Sequence, residues 1–112
     1  MKNNILFILT ALFIASCSSG NANLKTEKFT VYGNCEMCKK TIEGSLDGVK
    51  GIDEATWNVK NDKMIVSFDP EVITLEKIKQ KIADVGYDSN SHRAKDKVYE
   101  DLHGCCKYER PE

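Results

Sequence analysis

Between a strand-like stretch and a helix-like one this chain places Asn34-Cys35-Glu36-Met37-Cys38, and no other segment constrains it as strongly. Two thiols three positions apart at such a junction can both point at one small object. A helix start leaves backbone N–H groups free and carries the positive end of the dipole, which favours thiolate over thiol. Thiolates are soft donors, suited to Cu(I), Zn(II) and similar ions, or to each other as a disulfide. The rest of the chain has to decide between holding a metal and exchanging a disulfide.

The residues around the pair predict a small α+β domain. Glu27-Lys28-Phe29-Thr30-Val31-Tyr32 alternates polar and apolar and reads as a strand. A helix is expected from about Glu36, with Cys38, Ile42, Leu46 and Val49 along one face and Gly48 and Gly51 at its end. Ala55 to Val59 and Met64 to Phe68 flank the Asn61-Asp62 turn as a hairpin. Its inward set is Ala55, Trp57, Val59, Met64, Val66 and Phe68. Thr74 is placed to cap a second helix, whose apolar face is Leu75, Ile78, Ile82 and Val85. Gly86 closes that helix, and Tyr87 to about Arg93 is expected as a fourth strand. The order is strand, helix, strand, strand, helix, strand. It predicts a ferredoxin-like fold, a four-stranded antiparallel sheet with both helices on one face.

The chain's start reads differently. Lys2 precedes the apolar run Ile5 to Ala15, too short for the ~20 residues a spanning helix needs but fitting a signal peptide. Ile14-Ala15-Ser16-Cys17 resembles the lipobox of bacterial lipoproteins, which implies cleavage before Cys17 and acylation of it. Two or more acyl chains anchor stably where one is marginal. The expected organisation is a signal peptide over 1–16, lipidated Cys17 and a flexible tether over 17–24, a folded domain over 25–92, and a C-terminal helix and tail over 93–112. Such a chain works outside the cytoplasm, facing out from a bacterial membrane. Acids and bases are interleaved with a net charge of −1, so no basic stripe suggests nucleic acid.

With Cys17 committed to lipid, Cys35, Cys38, Cys105 and Cys106 remain. As disulfide staples they are poor: a pair three apart closes little chain entropy, and adjacent cysteines bridge only through a strained ring. As metal clips they are well placed. In this element order the pair resembles the heavy-metal-associated domain family, which includes copper chaperones and the N-terminal domains of copper and zinc pumps. The resemblance runs from about Lys25 to His92, and is carried also by Phe68-Asp69-Pro70 and Gly86-Tyr87. It implies Cys35 and Cys38 as ligands of a soft ion, often Cu(I), with Tyr87 in the adjacent loop. The family usually has Gly-Met before the x-Cys-x-x-Cys; here Tyr32-Gly33 stands there, so the bracing Met is missing. Met37 is expected to replace it or to approach the metal as a thioether. Lys39 and Lys40, in the first helical turn, could offset the charge of a bis-thiolate site, though solvated lysines are commoner on a helix face.

Glu36 and Lys39 beside the thiols argue for an exposed loop, with neither thiol in the core. In the tail, Lys95 to Leu102 reads as a short helix that docks through Val98 and Leu102. His103-Gly104-Cys105-Cys106 follows, a soft donor cluster. It either completes a shared site with Cys35 and Cys38 or forms a second one; otherwise it is an exposed redox-labile tail. The leading function is non-enzymatic capture of a soft ion, Cu(I) before Zn(II), Cd(II) or Hg(II), for buffering or transfer to a transport or efflux partner. The alternative is a thiol–disulfide oxidoreductase with Cys35 as nucleophile. That chemistry in a thioredoxin-like fold needs more strands and a proline facing the pair, and the only prolines are Pro70 and Pro111.

Overall fold

The hairpin built on Asn61-Asp62 is the spine of the sheet. In a computed structural model, which describes residues 23–112, the strands are β1 (Lys25–Thr30), β2 (Ile52–Trp57) and β3 (Lys63–Phe68), in the antiparallel order β1-β3-β2. The expected signal segment and Cys17 lie outside the described residues. Asp62 takes a left-handed backbone, φ 60°, and the Asn61 side chain accepts from the Lys63 N–H at 2.9 Å, so the turn residues do the turning. Helices α1 (Glu36–Gly44) and α2 (Leu75–Asp84) follow β1 and β3 in the expected ferredoxin-like order.

The alternation along β3 sorts its side chains. Met64, Val66 and Phe68 are buried, whereas Ile65 on the opposite face is 44% exposed. Ile42 of α1 and Ile78 and Ile82 of α2 join the same cluster, so both helices cover one face of the sheet. Trp57, Met64 and Val66 are inside as the hairpin pattern predicts, and Ala55 and Val59 pack half-buried at the edge. Thr74 caps α2, its hydroxyl accepting from the Lys77 N–H at 3.2 Å. Gly86 then reverses the chain at φ 107°.

The expected fourth strand is corrected: Tyr87 to Arg93 contributes a single antiparallel bridge, Ser89 to Val31. Two backbone bonds flank it, Tyr32 N–H to the Asp88 carbonyl at 2.8 Å and Asn90 N–H to the Thr30 carbonyl at 3.3 Å. The pairing stops because the chain turns at once. The Ser89 N–H donates to the His92 carbonyl at 2.8 Å, and the Ser89 hydroxyl accepts from the His92 N–H at 3.1 Å. Asp88 drives the turn: its buried carboxylate accepts from the Ala94 N–H at 2.6 Å, drawing the chain inward where a strand would run on. The tail adds α3 (Asp96–Glu100) and a 3-10 turn, Gly104–Cys106. Tyr99 and Leu102 dock this segment, rather than Val98 and Leu102.

Candidate metal centre

A tryptophan shapes the loop that carries Cys35. Trp57 is fully buried, and its indole N–H donates to the Val31 carbonyl at 2.8 Å. A Cβ at residue 33 would lie 2.9 Å from the indole ring and 3.3 Å from the Cys38 Cβ, so the backbone passes over the ring only because Gly33 has no side chain. Trp57 thus fills the space under the loop. Met37 does not; it is 45% exposed.

Cys35 stands at the N-cap of α1 in an extended conformation, with no side-chain cap of its own. Burial pushes its thiol up, but the backbone N–H of Cys38, the Cys38 and Cys106 thiols and the Met37 N–H outweigh that and hold it below the ordinary thiol value. The Cys35 and Cys38 sulfurs are 3.2 Å apart, and the Cys38 thiol donates to the Asn34 side-chain carbonyl at 3.1 Å. Cys38 is completely buried and belongs to the core. This corrects the expectation that neither thiol is in the core. Glu36 and Lys39 are poor witnesses, because neighbours on a helix point about 100° apart and share no face with residue 38.

The tail comes back onto this loop. Cys106, buried, lies 3.7 Å from the Cys35 sulfur and 3.9 Å from that of Cys105, and Cys105 lies 3.8 Å from the Met37 thioether. Five sulfurs therefore follow one another in steps of 3.2 to 3.9 Å: Cys38, Cys35, Cys106, Cys105, Met37. Burial first, then the neighbouring Cys38 thiol, pushes the Cys106 thiol up to about 12. All four cysteines among the described residues are free. His103 stands apart: it is exposed, and its backbone carbonyl accepts from the Cys106 N–H at 2.8 Å. The Lys39 ammonium is turned away from the sulfurs, donating to the Trp57 carbonyl at 2.7 Å and pairing with Glu43 at 2.9 Å.

Tyr87 is fully buried, and its hydroxyl has no hydrogen-bond partner. Burial, followed by the Cys38 and Cys106 thiols, makes its proton very hard to remove. An uncharged thiol accepts weakly, whereas a metal-bound thiolate at Cys38 or Cys106 is an acceptor this orphaned donor can use. The donor set and the orphan together fit a soft cation bound by deprotonated sulfur.

Residues that spacing did not single out hold the tail. The Tyr108 ring stacks on Tyr87 with centroids 5.5 Å apart. Its hydroxyl donates to the Gly86 carbonyl and accepts from the Asp88 N–H, each at 2.8 Å. The Arg110 guanidinium forks onto Asp88 at 2.8 and 2.9 Å, lies over the Tyr99 ring, and reaches the Ala94 carbonyl at 2.6 Å.

Comparison with known proteins accords with this chemistry. The profile of the Heavy-metal-associated domain matches residues 28–88. A Zinc-transporting ATPase of Synechocystis is 40% identical over 65 residues, 57% of this chain but 9% of the ATPase. The Copper chaperone CopZ of Staphylococcus aureus is 31% identical over 55 residues, 49% of this chain and 81% of the chaperone. Among solved structures, a CopZ metallochaperone superposes with a TM-score of 0.56 at 30% identity, covering 58% of this chain and 98% of that one. The chain thus spans most of the small chaperones and only a small part of the pump. These likenesses lend no support to the oxidoreductase alternative. With the profile spanning more than half of its residues and the cysteine pair at the tip of the first helix, this chain belongs to the heavy-metal-associated domain family.

Proposed function

We propose that this protein binds one soft metal ion, Cu(I) before Zn(II), Cd(II) or Hg(II), at Cys35 and Cys38, and buffers it or passes it to a transport or efflux partner without catalysing a reaction. The observation that carries this is the pair of sulfurs 3.2 Å apart at the start of α1, with Cys35 already biased toward thiolate. On binding, each thiol gives its proton to solvent and the ion takes the two sulfurs. Cys35, half-exposed, is where an incoming thiolate attacks for handover. The relatives' names support such a partner, since one is a zinc-transporting ATPase and another a copper chaperone. In this reading the chain acts outside the cytoplasm, held to a bacterial membrane through acylated Cys17.

The test is an anaerobic Cu(I) titration of the full chain against a competing chelator. Competitive binding that is lost in Cys35→Ser is expected; binding that survives it would remove the pair from the site. For the anchor, Cys17→Ser should accumulate unlipidated precursor, and normal acylation by mass spectrometry would reject it.

A further inference from the structure

The tail lies beyond the family match, yet it delivers sulfur to the family site. The sulfurs of Cys35, Cys105 and Cys106 all lie within 4.8 Å of one another, with edges of 3.7 Å (Cys35 to Cys106) and 3.9 Å (Cys105 to Cys106). Three sulfurs around one ion, each about 2.3 Å from it, stand about 4.0 Å apart. The triad is therefore already close to coordination spacing. Its placement is built, not incidental: Tyr108 is sandwiched against Tyr87 and clamped by hydrogen bonds to Gly86 and Asp88, and Arg110 locks onto buried Asp88. Cys106 is carried into the interior between these anchors and α3. The Tyr87 hydroxyl, buried without a partner, offers the hydrogen bond that a thiolate at Cys106 would accept.

Resting on the soft-metal reading above, we infer that the C-terminal tail is an integral arm of the metal centre: an ion captured between Cys35 and Cys38 passes to Cys35, Cys106 and Cys105, so that three thiolates hold it while Cys38 takes back a proton and leaves, with the Met37 thioether at the exposed side. Each added thiol releases one proton to solvent and the ion keeps its oxidation state. The functional consequence is retention. A two-thiolate site leaves room for a partner's sulfur, whereas here the two tail sulfurs already fill the coordination around the ion, and transfer requires the tail to yield it.

The experiment is an anaerobic Cu(I) titration against a chelator, with X-ray absorption to count sulfurs. It compares the full chain, Cys105→Ser/Cys106→Ser, and Arg110→Met, which loosens the tail without removing a sulfur. Expected is one equivalent in every chain, with three sulfurs per ion in the parent and two in the double variant. Binding in the double variant should weaken on the order of a hundredfold, the scale on which a tethered ligand acts, and Arg110→Met should shift in the same direction. Unchanged affinity and sulfur count in the double variant would overturn the inference while leaving Cys35 and Cys38 as a sufficient site. Two equivalents, one lost in the double variant and the other unaltered, would overturn it in favour of an independent tail site. No binding by the parent chain would overturn the soft-metal reading itself.

Discussion

Arg110→Met tests the anchor of the tail. The Asp88 side chain is 1% exposed and that of Arg110 12%, and their two charge-assisted bonds of 2.8 and 2.9 Å form a desolvated fork. Methionine keeps an apolar stem against Tyr99 but leaves the buried carboxylate with the Ala94 N–H and, at 4.0 Å, the exposed Arg93 guanidinium. Removing one partner of a buried pair costs roughly 3–5 kcal/mol. A further Arg110 contact, to Asp96, adds little because Asp96 is 87% exposed. Undocking of the tail limits the total, so about 3 kcal/mol at neutral pH is expected. For a domain of this size that corresponds to a fall in Tm of roughly 12–24 °C. The pH dependence has a definite sign. Burial would raise the Asp88 pKa, but Arg110 and the Ala94 N–H outweigh it and hold the carboxyl below its usual range. A depressed pKa stabilises the fold fully above the unfolded value of about 3.9, and that contribution is lost as pH falls through the folded value. In the variant, protonation relieves the stranded carboxylate, so the two chains converge as acid is added. Urea melts at pH 7 and pH 3 measure this. A gap below about 1 kcal/mol at pH 7, or one that does not narrow at pH 3, would refute the reasoning.

Gly33→Ala forces a Cβ to within 2.9 Å of the Trp57 ring and should cost about 1–3 kcal/mol in thermal melts; an unchanged melt would mean that the ring gives way freely. Thr74→Ala removes the cap of α2 and should cost about 1 kcal/mol, read as a lower helical transition by circular dichroism. Cys38→Ala, at a fully buried site, should lose about 1 kcal/mol of stability. Cys35→Ala should lose less while abolishing Cu(I) binding, and equal melts would deny the difference in burial.

Much of the fold was legible because it rests on local periodicity. Met64, Val66 and Phe68 at period two, and Ile78 and Ile82 at helical spacing, point to one interior without any knowledge of their partners. The same spacing aligned Cys38 with Ile42 and Leu46, so its burial was readable; weighing its sequence neighbours instead of its helical face obscured it. Asp88 defeated the strand reading because a buried charge is intelligible only through Arg110, 22 residues away. The tail's approach to Cys35 was equally hidden. It depends on Tyr108 meeting Tyr87, an encounter between aromatics 21 positions apart that no periodic pattern announces. The adjacent cysteines signalled soft chemistry, while their destination is a property of tertiary packing alone.

Trp57 is the only tryptophan in the chain, and it lies directly beneath the loop that bears the thiols. The indole emission is therefore a native optical probe of that loop, free of background from any other tryptophan. Loading by a quenching ion, or a shift of the backbone at Gly33, is reported from within a few ångströms of the sulfurs. Occupancy can then be followed in real time on the unlabelled protein, including when a partner takes the cargo away.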